Sequence, residues 1–345
     1  MNTTKTYISA LSLATVLLGM ASCATDEVQD ATEKTSSLEL RTEIAETRAI
    51  IEGTQFSEND VIQLVLQGTA NNVSSCTATL KDGKWVLDRE VLLNKNRIGI
   101  GGFFNVASSI APNEKGDQTD ILVGMQVLQD GMAVNVDNPH AYIQFQHLLS
   151  RVSFDIQQVN GTGHLSQLAL VNLEKGSAIG TNLNFDYLAD FGYSAISQIS
   201  QMGLLAGRSY SPTEKLNQIN EYDKMMATLL TEMSTRAHYM REGNSPLVMP
   251  TNVQLVEAPT TVSLLAIPTT INSYSRVALQ LTIDGKTYQV EIPAVQWNGN
   301  YHYRYPVVID LSHDKLVPIT IGNYSIEGWG AATSLSGVEQ TVPMD

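Results

Sequence analysis

The residue types that most often carry chemistry are few and scattered in this chain. There are six histidines. His140 and His147 lie seven positions apart in a β-patterned stretch, so they share no strand face and make no metal pair. His147 stands just ahead of an apolar strand and reads as a structural histidine. Asn113, Glu114, Asp117 and Asp120 offer the hard oxygens that suit Ca²⁺, but their spacing is not that of an EF-hand. They read as an exposed acidic loop. Gly99-Ile100-Gly101-Gly102 has no helix behind it to make a nucleotide loop, and it reads as flexibility at a strand bend. No Gly-x-Ser-x-Gly, His-Glu-x-x-His or P-loop pattern occurs. No catalytic residue, cofactor or metal is therefore expected, and the chain does not read as an enzyme. Trp85, Trp297 and Trp329 could stack on sugar rings, which gives the alternative reading of a non-polymerising surface glycan-binding lipoprotein. Each lies in alternating strand sequence, where core packing is the simpler use.

The reactive groups with the clearest context lie near the start. Lys5 precedes an apolar run, Ile8 to Gly19, of about a dozen residues, too short to span a bilayer. Met20-Ala21-Ser22-Cys23 follows and resembles a lipobox, in which the Cys23 thiol takes diacylglycerol and its amine a further acyl chain. Asp26-Glu27, just behind Cys23, resembles a surface-export tag. The expectation is a signal peptide over residues 1–22 and a lipid anchor at Cys23 in the outer membrane, facing outward. The other cysteine, Cys76, then has no partner for an intramolecular disulfide, and in Ser75-Cys76-Thr77-Ala78-Thr79 it reads as a buried structural thiol. Arg48 stands where a polar tether meets the first firm β pattern, accessible to a trypsin-like protease, with Arg41 the second candidate.

Composition limits the partners. The formal net charge of −14 across 345 residues argues against nucleic acid and anionic membrane surfaces, which need basic patches. Attachment must come from the lipid, and several acyl chains exceed the roughly two signals that stable anchoring requires. At about 150 residues per domain the length suggests roughly two domains.

The elements that position these residues are mostly strands. Residues 23–48 form a lipidated, Thr/Glu/Ser-rich tether whose end, through Leu38, Leu40 and Ile44, alternates weakly. Ile62, Leu64 and Leu66 share one strand face, and so do Val152, Phe154 and Ile156. Lys81-Asp82-Gly83-Lys84 reads as a type I′ hairpin turn, and Asp284-Gly285 joins the clearest hairpin in the chain, Val277 to Ile292. Tyr301, Tyr303 and Tyr305 share a face. Between the β units, Leu188, Phe191, Ala195, Ile199 and Met202 step at helical spacing. Ser211-Pro212-Thr213-Glu214 then reads as a capping box ahead of a stripe of Leu216, Ile219, Met226, Leu230 and Met233. The resulting organisation is an N-terminal antiparallel β-sandwich over 49–182, a helical insert over 183–245, a C-terminal β-sandwich over 246–330 and a tail over 331–345.

Four stretches together resemble the fimbrillin family, the type V pilins of Gram-negative anaerobes. They are Thr47-Arg48-Ala49 leading to Gly53-Thr54-Gln55-Phe56 and Asp60; Phe145-Gln146-His147-Leu148-Leu149-Ser150-Arg151-Val152-Ser153-Phe154; Ala266-Ile267-Pro268 with the Val277–Ile292 hairpin; and Trp297-Asn298-Gly299-Asn300-Tyr301-His302-Tyr303 running to Ile326-Glu327-Gly328-Trp329. The resemblance implies two tandem transthyretin-like sandwiches and a lipoprotein precursor assembled into a fimbrium outside the cell. It implies cleavage at Arg48, or at Arg41, that removes the N-terminal strand with its lipid. It further implies donor-strand exchange with other fimbrial subunits, and adhesion to a host or bacterial surface ligand. The tail after Trp329, with Leu335, Val338 and Val342, does not alternate as a donor strand should. That points toward an accessory, tip or anchor role.

Overall fold

Asp82 and Gly83 adopt φ values of 51° and 72°, and Asp284 and Gly285 adopt 49° and 77°. Both pairs are the type I′ turns that Asp-Gly favours, and each closes an antiparallel hairpin. The computed structural model describes residues 34–44, 56–128, 131–173, 178–184, 194–205, 208–236, 239, 241–312 and 318–329. The expected signal peptide, Cys23, Arg48 and the tail from residue 330 onward lie outside the described residues.

In chain order the strands begin with β1 (Ser36–Ser37), β2 (Glu39–Ile44), β3 (Val61–Gln67), β4 (Ser75–Lys81), β5 (Lys84–Leu87) and β6 (Leu92–Leu93). Next come β7 (Gly99–Phe104), β8 (Leu122–Val127), β9 (His140–His147), β10 (Ser150–Val159), β11 (Gly163–Asn172) and β12 (Asn182–Leu183). Helix α1 (Pro212–Arg236) follows, then β13 (Arg241–Glu242), β14 (Leu247–Leu255), β15 (Thr260–Ala266), β16 (Thr269–Ile271), β17 (Val277–Ile283) and β18 (Lys286–Glu291). The last are β19 (Val295–Trp297), β20 (Tyr301–Asp310), β21 (Ile319–Ile321) and β22 (Ser325–Gly328).

The first part is one seven-stranded sheet in the order β2-β9-β8-β7-β3-β4-β5. Its apolar face gathers Ile62, Leu64, Leu66, Cys76, Ala78, Ile100, Ile143 and Phe145, with Leu38, Leu40 and Ile44 contributed from the N-terminal side. Phe56 sits edge-on to Trp85, Phe104 and Phe145, each with ring centroids 5.2 Å apart. Such edge-to-face pairs add about 0.5–1.5 kcal/mol each beyond burial.

The glycines of β7 are places of close approach, not of flexibility, and this corrects the sequence reading. A Cβ on Gly99 would collide with the backbone carbonyl oxygen of Ile196, and one on Gly102 would come within 2.8 Å of the Phe145 ring. The helical stretch 194–199 lies against one side of the strand and Phe145 against the other, so only a bare backbone fits between them. The sequence gives no hint of this, because Ile196 is distant along the chain.

The second part is a sandwich. One sheet runs β15-β10-β20-β21, with β22 also on β20; the other runs β14-β11-β17-β18. Val152, Phe154, Ile156, Tyr303, Tyr305 and Val307 face Leu168, Leu170, Leu279 and Leu281 in a common core. Trp297 is buried there and donates its indole N–H to the Tyr305 hydroxyl at 2.9 Å. Two expectations change. The sheets divide at Leu148–Leu149, not beyond residue 182, because β10 and β11 pair with strands that follow α1. The sheets are also mixed, not purely antiparallel: β2 runs parallel to β9, and β10 runs parallel to β20. Alternation along β10 marks a two-faced strand but cannot name its partner.

Between β12 and β13, which pair with each other, lie the helical residues 194–199 and α1. The capping box forms as expected. The Ser211 N–H donates to Glu214 Oε2 at 2.7 Å, and the Glu214 N–H donates to Ser211 Oγ at 3.2 Å. Of the expected stripe on α1, Leu216 is 57% exposed and Ile219 half-buried, while Tyr222 and Met225, outside that stripe, are buried and half-buried. These two pack with Ala195, Ile199, Leu148, Leu149, Ile267 and Trp329 in a separate cluster. The described side chains of α1 do not include Met226, Leu230 or Met233, and Leu188 and Phe191 lie outside the described residues.

Candidate functional site: the N-terminal edge strand

The feature with the clearest functional geometry is β2. Its register with β9 runs from Glu39↔His140 to Ile44↔Phe145, six residues of parallel ladder. The even-numbered side chains point inward, and Leu38, Leu40 and Ile44 are all buried. Burying each such side chain contributes about 1.5–3 kcal/mol relative to exposure. The chain is fixed ahead of the ladder by the Leu38 N–H to the Val91 carbonyl at 3.0 Å and the Glu39 N–H to the Pro139 carbonyl at 2.9 Å. β2 ends the sheet on one side and β5 ends it on the other. The two edges come together where Trp85 Nε1 donates to Thr42 Oγ1 at 2.7 Å. The sheet is therefore curled, with a short N-terminal strand as a removable-looking member of its wall. Weak alternation at Leu38, Leu40 and Ile44 was the only sequence signal for this.

Of the candidate processing residues, Arg41 lies within β2, opposite Tyr142, with an exposed side chain and a backbone held in the ladder. A protease needs extended backbone free to enter its own cleft, so Arg41 is the poorer substrate while β2 is in place. Arg48 and Cys23 lie outside the described residues. Cys76 is 5% exposed in β4. Burial first, then the nearby Asp88 carboxylate, pushes its thiol up to about 11 against a smaller opposing effect of Arg89. At neutral pH it is a protonated thiol and a poor nucleophile.

The acidic loop is an Asx turn. Asn113 Oδ1 accepts the backbone N–H groups of Lys115 at 2.8 Å and Asp117 at 3.0 Å, and its Nδ2 donates to Asp117 Oδ2 at 3.0 Å. Asp120 turns away to meet His147 Nδ1 at 2.5 Å. Among the described residues no group of three or more His, Cys, Asp or Glu side chains is placed to hold a metal. His147 is boxed in further by Trp329, whose ring stacks on it with centroids 4.1 Å apart and planes 6° apart. Trp297 and Trp329 are thus committed to packing, and half-buried Trp85 packs edge-on to Phe56 and bonds Thr42.

One arrangement escaped the sequence reading. On the outer side of the β15-β10-β20 sheet, Ser153 Oγ lies 2.6 Å from both His302 Nε2 and Ser263 Oγ. His302 Nδ1 is 3.7 Å from Glu327 Oε2. Parallel pairing of β10 with β20 brings this Ser, His and Glu into line across almost the whole length of the second part, which no local motif could announce. The line has the order of a hydrolytic triad but not its properties. Ser153 has no exposed surface. Burial, then Arg151 and Arg304, holds the imidazole down to about 4 against the smaller pull of Asp155, too weak a base to take a serine proton at neutral pH. Beside it, Arg304 Nη2 meets both carboxylate oxygens of Asp155 at 2.9 Å. Burial works against the Asp155 carboxylate, yet its bonds to Arg304 and Thr261 hold it below the usual range. The network is a polar seam that stitches three strands together.

No protein-family model matches the sequence, and no curated protein matches it. Solved structures do. A protein from Bacteroides ovatus, provisionally named a cell adhesion protein, superposes with a TM-score of 0.50 at 13% identity, over 85% of this chain and 98% of that one. At that identity the likeness is one of fold. The tip fimbrial protein Mfa3 from Porphyromonas gingivalis, with a C-terminal truncation, gives 0.43 at 11% identity over 86% and 100% of the two chains. A fimbrial assembly protein from Parabacteroides distasonis gives 0.39 at 10% identity, again over 86% and 100%. The structural neighbours are thus adhesion and fimbrial proteins of Bacteroidales.

Proposed function

We propose that this chain is a structural, non-enzymatic subunit of a cell-surface fimbrium, exported as a lipoprotein through Cys23 and assembled by β-strand addition. The observation that carries the reading is the position of β2: an N-terminal edge strand, six residues long, whose Leu40 and Ile44, with Leu38 just ahead of it, fill a groove in the sheet. Removing it would leave the β9 edge unpaired and the groove empty. That is the template a partner's alternating strand requires. The names of the structural neighbours support the same role. Cleavage at Arg48 would cut β2 and the lipidated tether from the covalent chain, so that a partner's strand could displace them, and an uncut chain would remain an outer-membrane anchor or accessory subunit.

Assembly tests this directly. A chain beginning at Ala49, mixed with full-length subunits from the same cells, should give ladders on gels run without boiling. A chain that stays monomeric in every such mixture would rule out assembly by strand addition. Mass spectrometry of the native N-terminus then separates the two forms: acylated Cys23 for an anchor, free Ala49 for a processed pilin.

A further inference from the structure

The two ends of β9 are gripped from different directions. Its first residue, His140, pairs with Glu39, where the chain enters the sheet, and β2 then runs beside it in the same sense. Its last residue, His147, lies under Trp329 and pairs with Leu122 of β8. With eight residues in β9, these ends are about 25 Å apart. Phe104 at the end of β7 pairs with Leu122, so the sheet beyond β9 is held at that same far end.

Consider tension between the N-terminal side of the chain and the body of the protein at the far end of β9. Past the two-residue pairing of β1 with β6, the force enters β2 at Glu39 and is resisted at His147, so it runs along the strand axis. Parallel neighbours loaded this way are in shear. All the ladder hydrogen bonds strain together, and Leu38, Leu40 and Ile44 must slide out of the groove as one. The same ladder pulled apart from one end breaks one bond at a time. An antiparallel edge strand entering from the far end would be peeled in that weaker way.

We infer that β2 and β9 form a load-bearing clamp, through which tension between the membrane-proximal end of the chain and the rest of the molecule passes. The clamp rests on the subunit reading for its purpose, since it presumes an N-terminal anchor under load. Its parts reinforce one another. Trp85 bonds Thr42 from the opposite sheet edge, and Leu38 and Glu39 are tied by their backbones before the ladder begins. A cut at Arg48 would leave this grip, with the short β1–β6 pairing ahead of it, as the link between the lipidated fragment and the folded body, so cleavage by itself would not set the strand free.

Single-molecule pulling on the mature chain tests the clamp. One tether sits at the N-terminus and the other on one of two exposed positions. Val106→Cys lies just past β7, at the far end of β9, and loads the ladder in shear. Asp137→Cys lies just before β9, at the entry end, and opens the ladder bond by bond. The expected result is a several-fold higher rupture force for the Val106 tether. Equal forces would overturn the clamp. Asp137 pairs with Lys34 of the pulled segment at 3.1 Å, so the Val106→Cys arm also carries Asp137→Ala to remove that pair from both arms, and Leu40→Ala should lower the force of the shear arm. A chain that shows the contrast but never assembles keeps the clamp and sinks the subunit reading; one that assembles without the contrast does the reverse.

Discussion

Trp85 Nε1 donates to Thr42 Oγ1 at 2.7 Å, and that bond ties the last strand of the seven-stranded sheet to its first. Trp85→Phe keeps most of the packing against Phe56 but deletes the donor. The loss should be about 0.5–1.5 kcal/mol. It should appear as a lower urea midpoint and as faster proteolysis of the segment around β2 than of the sandwich. An unchanged midpoint with unchanged proteolysis would mean that the sheet edges do not depend on each other.

Trp329 tests the joint between the two parts. Its ring covers His147, and its backbone N–H donates to the Asn300 carbonyl at 3.0 Å. Trp329→Ala should cost about 3–5 kcal/mol, as removal of a large buried aromatic does. Calorimetry should find a lower Tm. A variant that melts with the wild type would show that the cluster around Leu148, Leu149 and Ile267 is held without it.

Gly99→Ala adds a single methyl group where the Ile196 carbonyl already sits. Because the obstacle is backbone, the helical stretch must move as a unit. A destabilisation of about 1–3 kcal/mol is expected from overpacking alone. Denaturant titration of this variant against Gly83→Ala, whose site has open space, would separate crowding from turn strain.

The pH dependence of stability should carry the signature of His302. Its folded value is about 4 against an ordinary 6.5. As pH falls from 6.5 toward 4, the unfolded chain takes up a proton that the folded one refuses, so stability declines through that window and levels off below it. His302→Gln should flatten this portion of the curve. Proton uptake on unfolding at pH 5, measured by calorimetry in buffers of different ionisation enthalpy, should fall in the variant. An identical slope in both proteins would assign the effect to other groups.

What the sequence revealed and what it hid divide along one line. Local rules held: both Asp-Gly turns, the Ser211–Glu214 capping box and the burial of Cys76 follow from neighbours a few residues apart. Long-range pairing was invisible. Val152, Phe154 and Ile156 announced a two-faced strand, but nothing in them named β20 as the partner, and so the boundary between the parts was misplaced. Gly99 looked like slack because the atom it makes room for belongs to Ile196. For β2, the inward residues were legible, whereas its parallel course and the Trp85 contact were not. The Ser153–His302 seam depends wholly on a pairing between distant strands.

Cys76 shares its core with Leu38, Leu40 and Ile44, and its thiol is both covered and held protonated. In a chain that begins after Cys23 it is the sole sulfhydryl. An alkylating reagent should therefore ignore the protein while the first strand is seated and mark it once that strand departs. The wild-type molecule carries its own chemical stopwatch for the event, readable as a mass increment without a dye or an added label.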